Sequence, residues 1–153
     1  MGPPNEHRRS LLAALLIGVG VMAAVDQIVF HQVLAWHHFY DQATHDIALL
    51  SDGLLHAAEL VMIVAGTFMV IDLARRGMLR TTSAWGGFFL GAGAFQLFDG
   101  LVNHKVLRLH QVRYVDDLLP YDIAWNAAGV ALLAIGAVIS WRAGRRVQGT
   151  TGG

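Results

Sequence analysis

Cysteine is absent from the chain. Disulfides, thiolate zinc sites, iron–sulfur clusters and thiol nucleophiles are therefore excluded together. Charge is scarce as well. Asp, Glu, Lys and Arg make up 14% of the residues, against roughly a quarter in soluble domains. The eleven basic and eleven acidic residues cancel, so no basic face is available for nucleic acid. Proline occurs three times, which favours uninterrupted helices. What fills the chain instead is apolar: 55% of its 153 residues are hydrophobic, and seventeen are glycine. Small residues of this kind let helix backbones approach closely in lipid. The eight histidines are the oddity in such a composition.

Four segments have the roughly 20 mostly apolar residues that a bilayer span requires. They run from about Leu11 to Leu34, Gly53 to Ile71, Thr81 to Val102 and Ile123 to Trp141. A soluble helical bundle would carry a polar stripe along each helix; here only a few ionisable residues interrupt the runs. The expected fold is an all-α integral membrane four-helix bundle. Arg8 and Arg9 precede the first run as they would in a signal peptide, but the run is too long and no cleavage site follows, so it reads as a retained anchor.

Basic residues set the orientation. Arg8, Arg9, Arg75, Arg76, Arg80, Arg142, Arg145 and Arg146 all fall on the side of the two termini. Both termini are therefore expected in the cytoplasm. Residues 1–10 form an N-terminal tail, residues 11–146 the membrane domain, and residues 147–153 a polar tail expected to be disordered. Trp36, His38, Phe39 and Tyr40, with Trp85, Trp125 and Trp141, read as an interfacial belt.

The chain resembles itself. Gly18–His38 aligns without gaps on Gly91–Gln111 at an offset of 73, with eight identities in 21 positions. Asp26, His31 and His37 meet Asp99, His104 and His110. The second and fourth spans align at an offset of 70, where Asp52 meets Asp122, His56 meets Asn126 and Glu59 meets Gly129. Two tandem hairpins are expected, about residues 11–76 and 82–146. They would share one orientation about an axis along the membrane normal.

The costly residues gather at one level. Asp26 lies about 16 Å below His37 at the helical rise, and Glu59 about 12 Å below Ser51. Asp26, Asp99 and Glu59 then share a depth, with His31, His104 and His56 in a layer above them. Asp52, His56 and Glu59 fall on one helix stripe, and Asp122 and Asn126 repeat its first two members. Asp99, Asn103 and His110 share a face. His31 and His104, by contrast, sit about 140° round from their aspartates at 100° per residue. Either the polar face is wide or the helix is distorted there.

An ionised Asp at mid-bilayer costs about 2.5–3.5 kcal/mol, and such residues mark function. Four readings follow. The leading one is a metal centre drawn from Asp26, His31, His37, His56, Glu59, Asp99, His104 and His110, supported by Asp52, Asn103, Asp122 and Asn126. Imidazole and carboxylate ligands suit iron, manganese, zinc or copper(II), and bundle cores build such sites from facing helices. On this reading the site leans towards the second span, because Asn126 and Gly129 replace His56 and Glu59. The second reading is a haem-b electron carrier with His31 and His104 as axial ligands. The third is a proton or ion path, against which the inner half offers only Thr67 and Ser140. The fourth is a structural or interaction role, with His–Asp pairs that only hold the helices in register. Gly18-x-Gly20 is no dinucleotide fingerprint, since no strand precedes it.

At these residues the chain resembles the DUF2243 family of bacterial multi-pass membrane proteins. The likeness rests on the stretch from Val25 to His38, on Ser51 to His56, on Asp99 to His104 and on Asp122 to Asn126. Gln27 departs from the family's glycine, which the second copy keeps at Gly100. The resemblance implies four helices in the bacterial inner membrane. Family members are encoded near cytochrome-oxidase copper-assembly factors. That implies metal handling, copper included, and respiratory-oxidase or copper-assembly proteins as partners.

Overall fold

A computed structural model describes residues 3–149, with side chains for 5–146. Helix α1 (Pro3–Val25) runs straight into a π-helical segment, π1 (Asp26–Val33). Helix α2 (His45–Arg75) returns antiparallel. Helix α3 (Thr81–Phe98) again continues into a π-helix, π2 (Asp99–Val106), and α4 (Leu119–Gly149) completes the fold. Among the described residues there is no strand. The helices outrun the apolar runs at several ends. Pro3 to Ser10 is already helical, and α4 reaches Gly149; residues 150–153 of the expected disordered tail lie outside the described residues.

Among the described residues three helices are long and apolar enough to cross a membrane: Asn5–Val33, His45–Arg75 and Leu119–Arg146. Leu54, Val61, Val64 and Phe68 on α2, with Ile123, Val130 and Trp141 on α4, are exposed. A continuous apolar exterior of this kind is what lipid requires and water disfavours. Helix α3 is shorter and glycine-rich, and its glycine face is buried while Trp85 and Phe98 are exposed. Its Ser83, Gly86, Gly87, Gly91, Ala92, Gly93 and Gln96 are all buried.

Glycine decides how the helices approach. A Cβ on Gly87 or Gly91 would lie 2.0 or 2.1 Å from the carbonyl oxygen of Leu11 or Leu15, and one on Gly18 would lie 2.0 Å from that of Phe88. Backbone therefore rests on backbone, and α1 and α3 run parallel as the central pair. Gly20 packs on Glu59 and Ile63, and Gly66 on Ala13 and Ile17, so α2 lies antiparallel on α1. Gly93 packs on Leu133, and Gly136 on Leu90, which sets α4 on α3 in the same way. The order across the molecule is α2, α1, α3, α4, and α2 does not touch α3 or α4.

Several contacts fall on positions 73 apart. Both π-helices begin at an Asp and last eight residues. Each is closed by a residue in the left-handed region, Ala35 (φ 48°) and Arg108 (φ 52°). Beyond these, Trp36 N–H bonds to Phe30 O and Leu109 N–H to Asn103 O, each at 2.9 Å. A left-handed residue at a helix C-terminus turns the chain back over the last turn and satisfies its free carbonyls. Here it folds the following histidine, His37 or His110, back onto the helix end.

The tryptophans divide differently from the expected belt. Trp85 and Trp141 are exposed near helix ends, but Trp125 is buried. Its indole meets Phe30 edge-on at 4.9 Å and His104 at 5.7 Å. It is a wall of the polar core, because edge-to-face ring packing holds it there.

Candidate metal centre

The π-turns resolve the phase problem at Asp26/His31 and Asp99/His104. In an α-helix residue i+5 points well away from residue i. In a π-helix, with its i→i+5 bonds, it stacks nearly over residue i. His31 Nε2 accordingly lies 3.4 Å from Asp26 Oδ2, and His104 Nε2 lies 2.9 Å from Asp99 Oδ2. The helix is distorted; the polar face is not wide.

The returning loops bring the second histidine of each half to the same carboxylate. His37 Nε2 is 3.9 Å from Asp26 Oδ1, and His110 Nε2 is 3.6 Å from Asp99 Oδ1. The two half-sites meet where His37 and His110 stack, centroids 4.5 Å apart and planes 10° from parallel. His31 then contacts His37 at 4.6 Å, and His104 contacts His110 at 4.6 Å. All six residues are buried. Two overlapping sets have one potential ligand atom per residue within 4.8 Å of one another: His31, His37 and His110, and Asp99, His104 and His110.

The outward nitrogens reveal the tautomers. His37 Nδ1 donates to Val112 O at 2.8 Å and His110 Nδ1 to Phe39 O at 2.8 Å. A carbonyl can only accept, so both Nδ1 atoms carry the proton, and in the neutral rings both Nε2 atoms present lone pairs inward. His37 and His110 lie beyond the helical spans. Burial, reinforced by the adjacent His110 and His31 rings, pushes His37 down to about 3. Burial likewise pushes His110 down to about 4, the Asp99 charge opposing it. His31 Nδ1 is held by Asp52 Oδ1 at 2.8 Å. Neutral imidazoles fixed through Nδ1 with Nε2 free are the usual form of histidine metal ligands.

On the inner surface His104 Nε2 and His110 Nε2 hydrogen-bond each other at 2.9 Å, but other groups are left without a donor. Both oxygens of Asp26, Oδ2 of Asp99, and Nε2 of His31 and His37 are buried without a hydrogen-bond partner. Lone pairs facing carboxylates at this range repel, and unpaired buried charge is costly. A cation placed among them answers both. The chemistry that fits is imidazole nitrogen and carboxylate oxygen around a borderline transition-metal ion, with no sulfur from cysteine.

The remaining expected residues lie around this core. Asn103 Nδ2 donates to Asp99 Oδ1 at 2.9 Å and steadies that carboxylate. Asp122 pairs with Lys105 Nζ at 2.5 Å, and Asn126 Nδ2 turns back to Asp122 O. His56 and Glu59 contact each other on α2 and belong to neither convergent set. The core is thus built from the π-turns and the loops after them, rather than leaning on the second span.

His38 is more than an interfacial anchor: its Nδ1 bonds Asp52 Oδ2 at 2.6 Å. Its position, adjacent to His37 and without a histidine counterpart at Gln111, was the only sequence signal for that. Gln96 is a further buried polar residue that nothing in the sequence singles out, and Gln27, which stands in place of the family's glycine, is buried too.

The chain belongs to the DUF2243 family, described as predicted membrane proteins, whose model matches residues 13–143. Comparison with curated proteins and with solved structures finds no match.

Proposed function

We propose that this chain is a membrane metalloprotein whose four inner histidines, with Asp26 and Asp99, hold one or two transition-metal ions. The reading rests on one observation above others. His37 and His110 are locked through Nδ1 onto carbonyl oxygens, so both Nε2 atoms turn inward; His110 Nε2 meets His104 Nε2 at 2.9 Å, while His37 Nε2 and both Asp26 oxygens stay buried without a partner, an arrangement a cation would complete. Copper(II), iron and zinc all suit the donors. When bound, the metal would supply electron transfer or Lewis acidity. The protein's part is to keep the rings neutral, hold Asp26 and Asp99 against them and exclude water.

The centre lies at the end of the bundle opposite Arg75, Arg76 and Arg80. The positive-inside rule then puts both termini in the cytoplasm and the centre in the outer half of a bacterial inner membrane. The matching contacts at an offset of 73 support a duplicated hairpin. Redox chemistry or metal delivery, in company with respiratory-oxidase or copper-assembly proteins, is the role proposed for the centre.

A haem-b carrier is the weaker reading. His31 and His104 are joined through the stacked His37 and His110 rings, which fill the space a macrocycle would need between axial ligands. A purely structural role accounts for the His104–His110 hydrogen bond but leaves both Asp26 oxygens and His37 Nε2 buried without a partner.

Elemental analysis of full-length protein, purified without chelator, tests the proposal. Near-stoichiometric copper, iron or zinc is expected, with no Soret absorbance. Metal below roughly a tenth of an equivalent after incubation with each ion overturns it, since such sites couple binding to folding and should retain their ion.

A further inference from the structure

A second set of histidines lies beside the centre, on the π1 and α2 side. A groove of about 480 Å³ between π1 and α2 is lined by Gln27, His31, His38, Asp52 and His56, with Gln32, Leu49 and Gly53 at its margin. One of its histidines repeats the pattern of the core. His38 Nδ1 bonds Asp52 Oδ2 at 2.6 Å, and His56 Nδ1 lies against Glu59 Oε1. At His38 the carboxylate engages Nδ1 and leaves Nε2 for a ligand, the carboxylate–histidine arrangement of metal sites, while His56 Nδ1 lies beside Glu59 without a hydrogen bond. Gln27 is completely buried on this groove, and neither its amide oxygen nor its nitrogen has a partner.

Unlike the core, this set is accessible. The side chains of His38 and His56 are 27% and 44% exposed. It is also connected to the core, because Asp52 holds His38 with one oxygen and His31 with the other. His31 therefore belongs to both places.

The other half of the chain lacks these groups at the corresponding positions. Gln111, Asn126 and Gly129 stand at the positions of His38, His56 and Glu59. Gly100 replaces Gln27, and a Cβ there would meet Asn126 Oδ1 and the Trp125 ring at 2.7 Å. That side is closed by packing.

We propose that the groove is a loading site, where a divalent transition-metal ion is captured by His38 and His56, with the Gln27 amide oxygen, before passing His31 into the buried centre. This rests on the metal reading of the centre. Capture at exposed imidazoles and final binding at buried ones separates speed of entry from tightness of retention.

Cobalt(II) uptake by metal-stripped, full-length protein in lipid nanodiscs tests the route, followed by visible absorbance in a stopped-flow instrument. His38→Gln and His56→Gln should each slow filling by about tenfold, the scale on which supporting residues act, and leave the final cobalt content unchanged. His110→Gln should keep rapid capture and lose the stable species. Because His56 is half exposed, its variant reports even if His38→Gln misfolds. Uptake by His56→Gln at the unaltered rate overturns the loading site while the centre stands. Failure of the unaltered protein to take up cobalt, copper or zinc overturns both.

Discussion

His37 and His110 stack face to face at 4.5 Å, and each donates Nδ1 to a carbonyl two residues beyond the other, His37 to Val112 and His110 to Phe39. This reciprocal clasp joins the two π-turns and aims both Nε2 atoms at the aspartates. His110 belongs to both convergent ligand sets.

Replacement of His110 by Gln should therefore cost more metal than replacement of any other ligand. Affinity for zinc or copper(II) should fall by at least about tenfold. His104→Gln and His31→Gln each damage one set and should fall less. Competition titration with a chromophoric chelator checks the order. Equal losses for all three would contradict the shared position of His110.

Acid should weaken the metal-free protein. Both rings have folded-state values below the ordinary imidazole value near 6.5. As pH falls through 6.5 the unfolded chain takes up protons that the folded rings refuse, so stability is lost. The loss runs from about pH 6.5 towards the folded values of about 4 and 3. Above pH 7 the two rings contribute no slope. Thermal unfolding in detergent between pH 8 and about 4 should show the decline, and the His37→Gln, His110→Gln double variant should flatten it.

Gly91→Ala should separate α1 from α3. The new methyl would meet the Leu15 carbonyl oxygen at 2.1 Å, and backbone cannot turn aside as a side chain can. A loss of about 1–3 kcal/mol is expected from such overpacking, measured by unfolding in mixed detergent. Gly53→Ala, with open space around it, is the matched control and should change little.

Ala35→Gly and Arg108→Gly should each stabilise the fold. Both residues hold positive φ, which costs an L-residue about 1–2 kcal/mol. Glycine removes that strain at some cost in chain entropy, leaving a net gain of roughly 0.5–1 kcal/mol. Metal content should be unchanged, because the turn geometry is retained.

Much of the candidate centre's cluster was legible before the fold was known. Asp26, His31, His37, Asp99, His104 and His110 stand out as costly residues at matching places in two apolar runs, and all six converge. His56 and Glu59 also stood out, yet they contact each other on α2 and join neither convergent set, although Glu59 is fully buried, because α2 packs only on the α1 side. His38 looked like an anchor because nothing local shows that Asp52 reaches it.

The number and order of the helices, their apolar character and the spacing of Asp and His were determined by sequence alone, since hydrophobicity and the helical rise are local properties of the chain. The tertiary structure decided which nitrogens face inward. That choice depends on two π-turns shifting helix phase, on Ala35 and Arg108 reversing the chain, and on carbonyls of the opposite half fixing the His37 and His110 tautomers. Side-chain direction at the centre is thus set by partners some 70 residues away in the chain, and no window of sequence contains both.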